Sequence, residues 1–206
     1  MISVEEAQEA ILARIQPLGR TKVPVIEALG RVLAEEVAAP RDIPPWPNSA
    51  MDGYAVRAQD VAGASRERPA ALRVVEEVRA GFEATRALGP GEAIRIMTGA
   101  PIPRGADAVV LVEETEKAGK DEVRVFLAVP PGEAVRVAGE DVKAGETVFS
   151  AGVRLNPAAV GMLANLGRST VYVHQKPRVA ILSTGDELVD LGETPRAGQI
   201  YNSNSY

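Results

Sequence analysis

A chain of 206 residues that is 46% hydrophobic is long and apolar enough to bury one or two cores. Its 23 basic and 28 acidic side chains leave a formal net charge of −5, so it lacks the broad basic surface that non-specific nucleic-acid or anionic-membrane binding needs. With no cysteine and one histidine it can form no disulfide, thiolate metal site, multi-histidine zinc centre or thiol nucleophile, and any chemistry must use other oxygen and nitrogen groups.

The first element in the chain is marked by Ser3-Val4-Glu5-Glu6, a capping box that starts a helix. Ala7, Ile11, Leu12 and Ile15 then recur at helical spacing until Pro17 and Gly19 close the element. No run here has the length of a signal peptide core or a membrane span, so a cytoplasmic protein is the expectation. Thr21 to Ile26 reads as a strand, Glu27 to Leu29 as a helical turn, and Arg31 to Val37 as a second extended segment. Three prolines between Pro44 and Pro47 predict an extended surface run. Asp52-Gly53 predicts a turn in which Gly53 takes positive φ and Asp52 holds its carboxylate at a corner.

From Tyr54 to about Val137 the period is that of strands, expected at Leu72 to Val78, Ala93 to Met97, Ala108 to Val112 and Glu122 to Leu127, with a helix near Arg57 to Ala62. Val142 to Phe149 reads as two short strands. Asn156, Pro157 and Gly167 are the cap, first residue and stop of a further helix. Arg178 to Leu182 is a continuous apolar run of the kind buried on both faces of a parallel sheet, and Ser183-Thr184-Gly185-Asp186-Glu187 lies at its carboxyl end, where open α/β sheets bind ligands. The fold class is therefore mixed α/β and multidomain. A discontinuous α+β domain (1–45 and 138–175) carries an inserted β-rich domain (46–137), and 176–206 begins a doubly wound α/β domain.

Asp52, Asp141, Asp186 and Glu187 are the carboxylates at turns or strand ends that a hard cation can approach. Magnesium takes only one or two carboxylates beside waters and phosphate oxygens, so acids scattered over several segments suit it. Among 28 acidic residues most are solvated or capping groups, and position alone does not separate these four from the rest. Thr98-Gly99-Ala100-Pro101 offers a hydroxyl and backbone amides as an oxyanion cradle, or is an ordinary turn after a strand. Arg136 is a guanidinium fork for an oxyanion, or a solvated strand arginine. His174 reads as a strand-end residue, and Trp46 as a stacking surface or as packing for the proline arm.

Four stretches, Asn48-Ser49-Ala50-Met51-Asp52-Gly53-Tyr54-Ala55, Met97-Thr98-Gly99-Ala100-Pro101, Gly139-Glu140-Asp141 and Ser183-Thr184-Gly185-Asp186-Glu187-Leu188, resemble in wording and order the signature of the molybdopterin molybdotransferases, bacterial MoeA and the gephyrin E domain. The resemblance covers essentially the whole chain, but members of that family are roughly twice as long. It implies the same inserted-domain arrangement, with 176–206 as the start of a molybdopterin-binding domain. The implied activity, in molybdenum cofactor biosynthesis, is insertion of molybdate into adenylylated molybdopterin with release of AMP, aided by Mg2+.

The resemblance further implies catalytic roles for Asp52, Thr98, Asp141 and Glu187, and substrate contacts for Arg136, Ser183, Thr184 and Gly185. Metal contacts fall to Asp52, Asp186 and Glu187. It implies a homodimer, names the molybdopterin adenylyltransferase as a candidate partner, and leaves the 206-residue chain inactive alone. Val137 stands beside Arg136 where many members carry another basic residue, which lowers the expected anion affinity there. The competing readings are a dimeric scaffold and an anion-binding protein without catalysis.

Overall fold

The computed structural model describes residues 2–206. In chain order the elements begin with helix α1 (Val4–Leu12) and strands β1 (Arg20–Pro24), β2 (Val37–Ala38), β3 (Asn48–Ser49) and β4 (Gly53–Val56). Next come the one-turn helix α2 (Ala58–Val61), β5 (Ala70–Val78), β6 (Glu92–Ile96), β7 (Ala108–Leu111), β8 (Thr115–Lys117) and β9 (Glu122–Val125). The last are β10 (Val135–Arg136), β11 (Thr147–Phe149), helix α3 (Pro157–Asn165), β12 (Thr170–His174), β13 (Leu188–Val189) and β14 (Ile200–Tyr201).

Two compact units result. One takes the chain up to Glu35 with Gly152–Gly161 and Arg168–Tyr206; the other takes Glu36–Ala151 with Met162–Gly167. The divisions thus fall at 35/36 and 151/152, where the sequence suggested 45/46 and 137/138. Pairing of β2 with β11 and the Ile43↔Val142 bridge draw 37–43 and 142–149 into the second unit. The segment 176–206 belongs to the first unit and is not a unit of its own.

In the first unit both arms of the expected capping box form: Ser3 N donates to Glu6 Oε2 at 2.8 Å, and Glu6 N donates to Ser3 Oγ at 3.1 Å. The helix they start buries none of its residues. The helix ends at Leu12, short of the expected stop at Pro17; Ile11 and Leu12 in it and Ile15 beyond it stay 57–59% exposed, so these apolar side chains have no cover among the described residues. β1 and β12 form an antiparallel ladder from Arg20↔His174 to Pro24↔Thr170. The expected strand to Ile26 stops at Pro24 because Val25–Glu27 coils into a short helical turn. Of the expected extended segment after Arg31, Val32 and Leu33 make isolated bridges, to Arg154 and Val173. Leu33, Val171 and Val173 are fully buried, each contributing about 1.5–3 kcal/mol by leaving water. His174 ends β12 as expected, its Nδ1 2.9 Å from the Leu18 carbonyl.

The run Arg178 to Leu182 forms no strand. Val179, Ile181 and Leu182 are 60–89% exposed, which corrects the expectation of a buried first strand of a doubly wound sheet. A strand covered on both faces needs neighbours to pair with, and no described residue pairs with this run. Past it, β13 and β14 pair in parallel as a two-stranded piece.

The second unit is built on a six-stranded mixed sheet in the order β7-β4-β6-β5-β9-β8. Both faces are covered. Tyr54, Val56, Leu72, Val110, Val123 and Val125 pack on one side with Ala58 and Val61 of α2, while Ala55, Val78, Ile94, Ile96 and Val109 pack on the other with Leu88 and Ala100. All four residues of β4 are consequently buried, which explains an apolar run without alternation. Gly53 is not the positive-φ turn residue the sequence suggested. It begins β4, and a side chain there would run into the Val110 carbonyl oxygen of β7, so close backbone approach requires the glycine. Pro44 to Trp46 bends after a cis Ile43–Pro44 bond and does not run straight.

Candidate functional site

In the second unit β3 is held between two partners: it pairs with β10, as Ser49↔Val135 and Asn48↔Arg136, while Asn48 also bridges Pro101. The two motifs at residues 98–101 and 136–141 are thereby set on either side of the strand that leads into Asp52. Gly99 takes φ 81°, and its amide donates to the Ser49 carbonyl at 2.8 Å. That contact aims the preceding residue at Asp52. The Thr98 amide and hydroxyl both donate to Asp52 Oδ1, each at 2.7 Å.

Those two bonds, the amide first and the hydroxyl second, hold the Asp52 carboxyl below the usual carboxylate range; the Arg95 charge adds to this and burial opposes it. Asp52 is thus an anion with one oxygen fixed. Its Oδ2 accepts no hydrogen bond from any described residue and is free for a cation. Thr98, expected as part of an oxyanion cradle, spends its amide and hydroxyl protons on this carboxylate.

Arg136 is likewise engaged. The turn through Gly139, at φ 70°, brings its guanidinium onto Asp141, and Nη2 donates to both carboxylate oxygens at 2.8 Å. Glu140 Oε1 lies 3.6 Å from Nε. The Asp141 bond and charge, then Glu140, raise the Arg136 pKa above its ordinary value. The Asp141 amide donates to the Ile43 carbonyl at 2.9 Å, fixing the loop that carries the pair. Nη2 is thus committed to Asp141, while the two N–H groups of Nη1 donate to no described residue.

Ser183, Thr184, Gly185, Asp186 and Glu187 lie in the first unit. The Leu188 amide donates to the Gly185 carbonyl at 3.1 Å, closing a turn, and the Ile200 amide donates to the Glu187 carbonyl at 2.7 Å. The Glu187 carboxylate folds back over Gly185, where a side chain would collide with it. Ser205 Oγ donates to Ser183 Oγ at 3.0 Å. No three acidic or histidine side chains gather into a metal cage among the described residues. The donor set fits Mg2+ only as an ion that keeps its waters and ligand oxygens and takes a carboxylate such as Asp52.

Two residues at this site escaped the sequence reading. Arg95 sits in Glu92-Ala93-Ile94-Arg95-Ile96 as an ordinary strand arginine, and its partner Tyr54 is 41 positions away. Glu140 was visible as part of a motif but not as a second carboxylate for Arg136.

Residues 2–167 match the family described as the MoeA N-terminal region (domain I and II). The chain is 44% identical over 205 residues to molybdopterin molybdenumtransferase 2 of Mycobacterium tuberculosis, covering 100% of this chain and 50% of that protein. It is 45% identical over 181 residues to the Nostoc molybdopterin molybdenumtransferase, covering 87% and 41% respectively. A crystal structure of a molybdopterin biosynthesis moeA protein from Pyrococcus horikoshii superposes with a TM-score of 0.88 at 41% identity, over 100% of this chain and 55% of that one. The chain spans about half the length of the curated relatives it matches.

Proposed function

Because the chain belongs to the MoeA N-terminal family, we propose that it supplies the N-terminal half of a molybdopterin molybdotransferase acting in molybdenum cofactor biosynthesis. In this reading adenylylated molybdopterin and molybdate are the substrates, and molybdenum ends on the dithiolene while AMP leaves. The names of the relatives favour a transferase over a scaffold. Mg2+ supplies charge neutralisation at phosphate oxygens when bound. Asp52 offers it Oδ2 in the second unit; in the first unit Asp186 and Glu187 are separate candidate carboxylates for a divalent ion.

Thr98 keeps Asp52 ionised and oriented, which is the work of a positioning group. Arg136 holds Asp141 in place through Nη2 and meets the substrate oxyanion with Nη1. Ser183, Thr184 and Gly185 take the pterin ligand. A homodimer, the adenylyltransferase as partner and a cytoplasmic setting belong to the same reading; no helix among the described residues is long and apolar enough to cross a membrane.

The observation that carries the proposal is the Asp52–Thr98 pair, a carboxylate kept charged with one oxygen uncommitted. To test it, this chain replaces the corresponding N-terminal half of the M. tuberculosis relative, and molybdate-dependent AMP release is measured. Turnover is expected, with a loss of roughly a hundredfold in Asp52→Asn, where size is kept and charge removed. A correctly folded chimera with no turnover, or Asp52→Asn at the parent rate, would overturn the reading.

A further inference from the structure

Asp52 sits in an exposed turn, and packing holds little of it: Met51 before it is 44% exposed. Hydrogen bonds fix the turn instead. The Asp52 carbonyl accepts the Val112 amide at 3.1 Å, which sets the peptide plane after the residue. The plane before it is set by Ser49, whose Oγ donates to the Met51 carbonyl at 2.6 Å and accepts the Met51 amide at 3.4 Å. With both planes held, the direction in which Asp52 projects its carboxylate is fixed at the backbone.

Ser49 also reaches the other half of the Asp52–Thr98 pair. Its amide donates to the Ala100 carbonyl at 2.9 Å and its carbonyl accepts the Gly99 amide at 2.8 Å, so the loop that carries Thr98 is tied to the same residue. Ser49 is 1% exposed, unlike the turn it governs. A hydroxyl buried to that degree needs a partner, and a purely structural turn serine would do no more than find one. Here the side chain of one buried residue holds the segment that carries Asp52, and its main chain holds the segment that carries Thr98.

We propose that the Ser49 hydroxyl is a positioning group for Asp52, aiming its open Oδ2 by locking the Met51–Asp52 peptide while the Ser49 main chain sets Thr98 opposite. Ser49 touches no reacting atom; it acts through Asp52. Without the hydroxyl the Met51 carbonyl turns freely toward solvent, and Asp52 visits orientations that Thr98 does not reach. The inference rests on the preceding functional reading for what Asp52 does. The geometry it asserts is measured without turnover, so the two can fail separately.

Hydrogen exchange at the Thr98 amide, followed by NMR in the 206-residue chain, reads the geometry. Ser49→Ala should speed that exchange about tenfold relative to the amides of the β5–β6 ladder, the change that one lost hydrogen bond makes. Ser65→Ala removes a different turn serine, between α2 and β5, whose Oγ accepts the Arg68 amide at 3.1 Å, and should leave the ratio unchanged. In the chimera with the M. tuberculosis relative, Ser49→Ala should lower kcat about tenfold and leave KM within about twofold, as a misaimed group does. If Ser49→Ala loses its cooperative unfolding transition, Ser49→Cys, whose thiol is a weak donor of nearly the same size, decides by the same two readouts. A Thr98 exchange ratio equal to the parent's, the same change in Ser65→Ala, or a parent-like kcat in a chimera that turns over, overturns the role of Ser49. A chimera without turnover tells against the functional reading and leaves the exchange ratio to decide Ser49.

Discussion

Glu92 is a nearly buried carboxylate, 7% exposed, whose setting has nothing to do with ligand chemistry. It accepts the Gly89 amide at 2.9 Å and is enclosed by the guanidiniums of Arg73 and Arg86. The Gly89 bond foremost, then the two arginine charges, depress its pKa against the opposing effect of burial. A carboxylate depressed in the folded state stabilises it above its unfolded pKa and loses that contribution as pH falls through the folded value. Acid unfolding should therefore include a step below about pH 4.3, the ordinary glutamate value. Glu92→Gln should lower the thermal midpoint at pH 7 and flatten the acid limb. Equal midpoints for parent and variant at pH 7 would remove Glu92 from the stability of the sheet. Asp52 shares the depressed pKa but not the enclosure, since its second oxygen is left open. That contrast separates a structural carboxylate from a candidate functional one.

Helix ends show the difference between local and distant satisfaction of orphan amides. α3 is capped by the residue before it, Asn156 Oδ1 accepting the Ala159 amide at 2.8 Å, and Gly167 closes it at φ 75°. α2 has no such cap from Arg57. Its first amide, Ala58 N, donates instead to Asp107 Oδ1 at 2.7 Å, from a residue 49 positions away. Asn156→Ala should cost about 1 kcal/mol, measured as a shift in denaturant midpoint without a change in slope. A shift under about 0.3 kcal/mol would mean that the cap is replaced by solvent, as exposed helix ends allow.

At the scale of the whole molecule, the stripe on α1 is the feature the chain leaves open. Ile11 and Leu12 at the end of α1, and Ile15 three residues past it, are more than half exposed although their spacing is that of a helix built to pack. The proposed homodimer gives the stripe a cover. Sedimentation of the 206-residue chain should show a dimer at high concentration, and Ile11→Asp/Ile15→Asp should shift it to monomer with its helix content unchanged. A monomeric parent at millimolar concentration defeats the dimer, and a dimeric double variant removes α1 from its interface.

What the sequence by itself determined is local and periodic. The Ser3–Glu6 box, the Asn156 cap, the Gly167 stop and four strands of the six-stranded sheet, β5, β6, β7 and β9, follow from residues within a few positions of each other, and propensity acts over that range. The family was legible in four short motifs because their wording is specific even where their chemistry is not. The tertiary structure decided where donors are spent. Thr98 and Arg136 read as free oxyanion contacts until contacts 46 and 5 residues away in sequence close Thr98 onto Asp52 and Nη2 of Arg136 onto Asp141. Gly53 read as a turn glycine until β7 was laid against it. Arg178 to Leu182 read as a buried strand although apolar composition cannot supply the neighbours that bury it. Hydrogen-bond capacity and exposure depend on what packs alongside, and for Arg95 that neighbour is a tyrosine 41 residues distant.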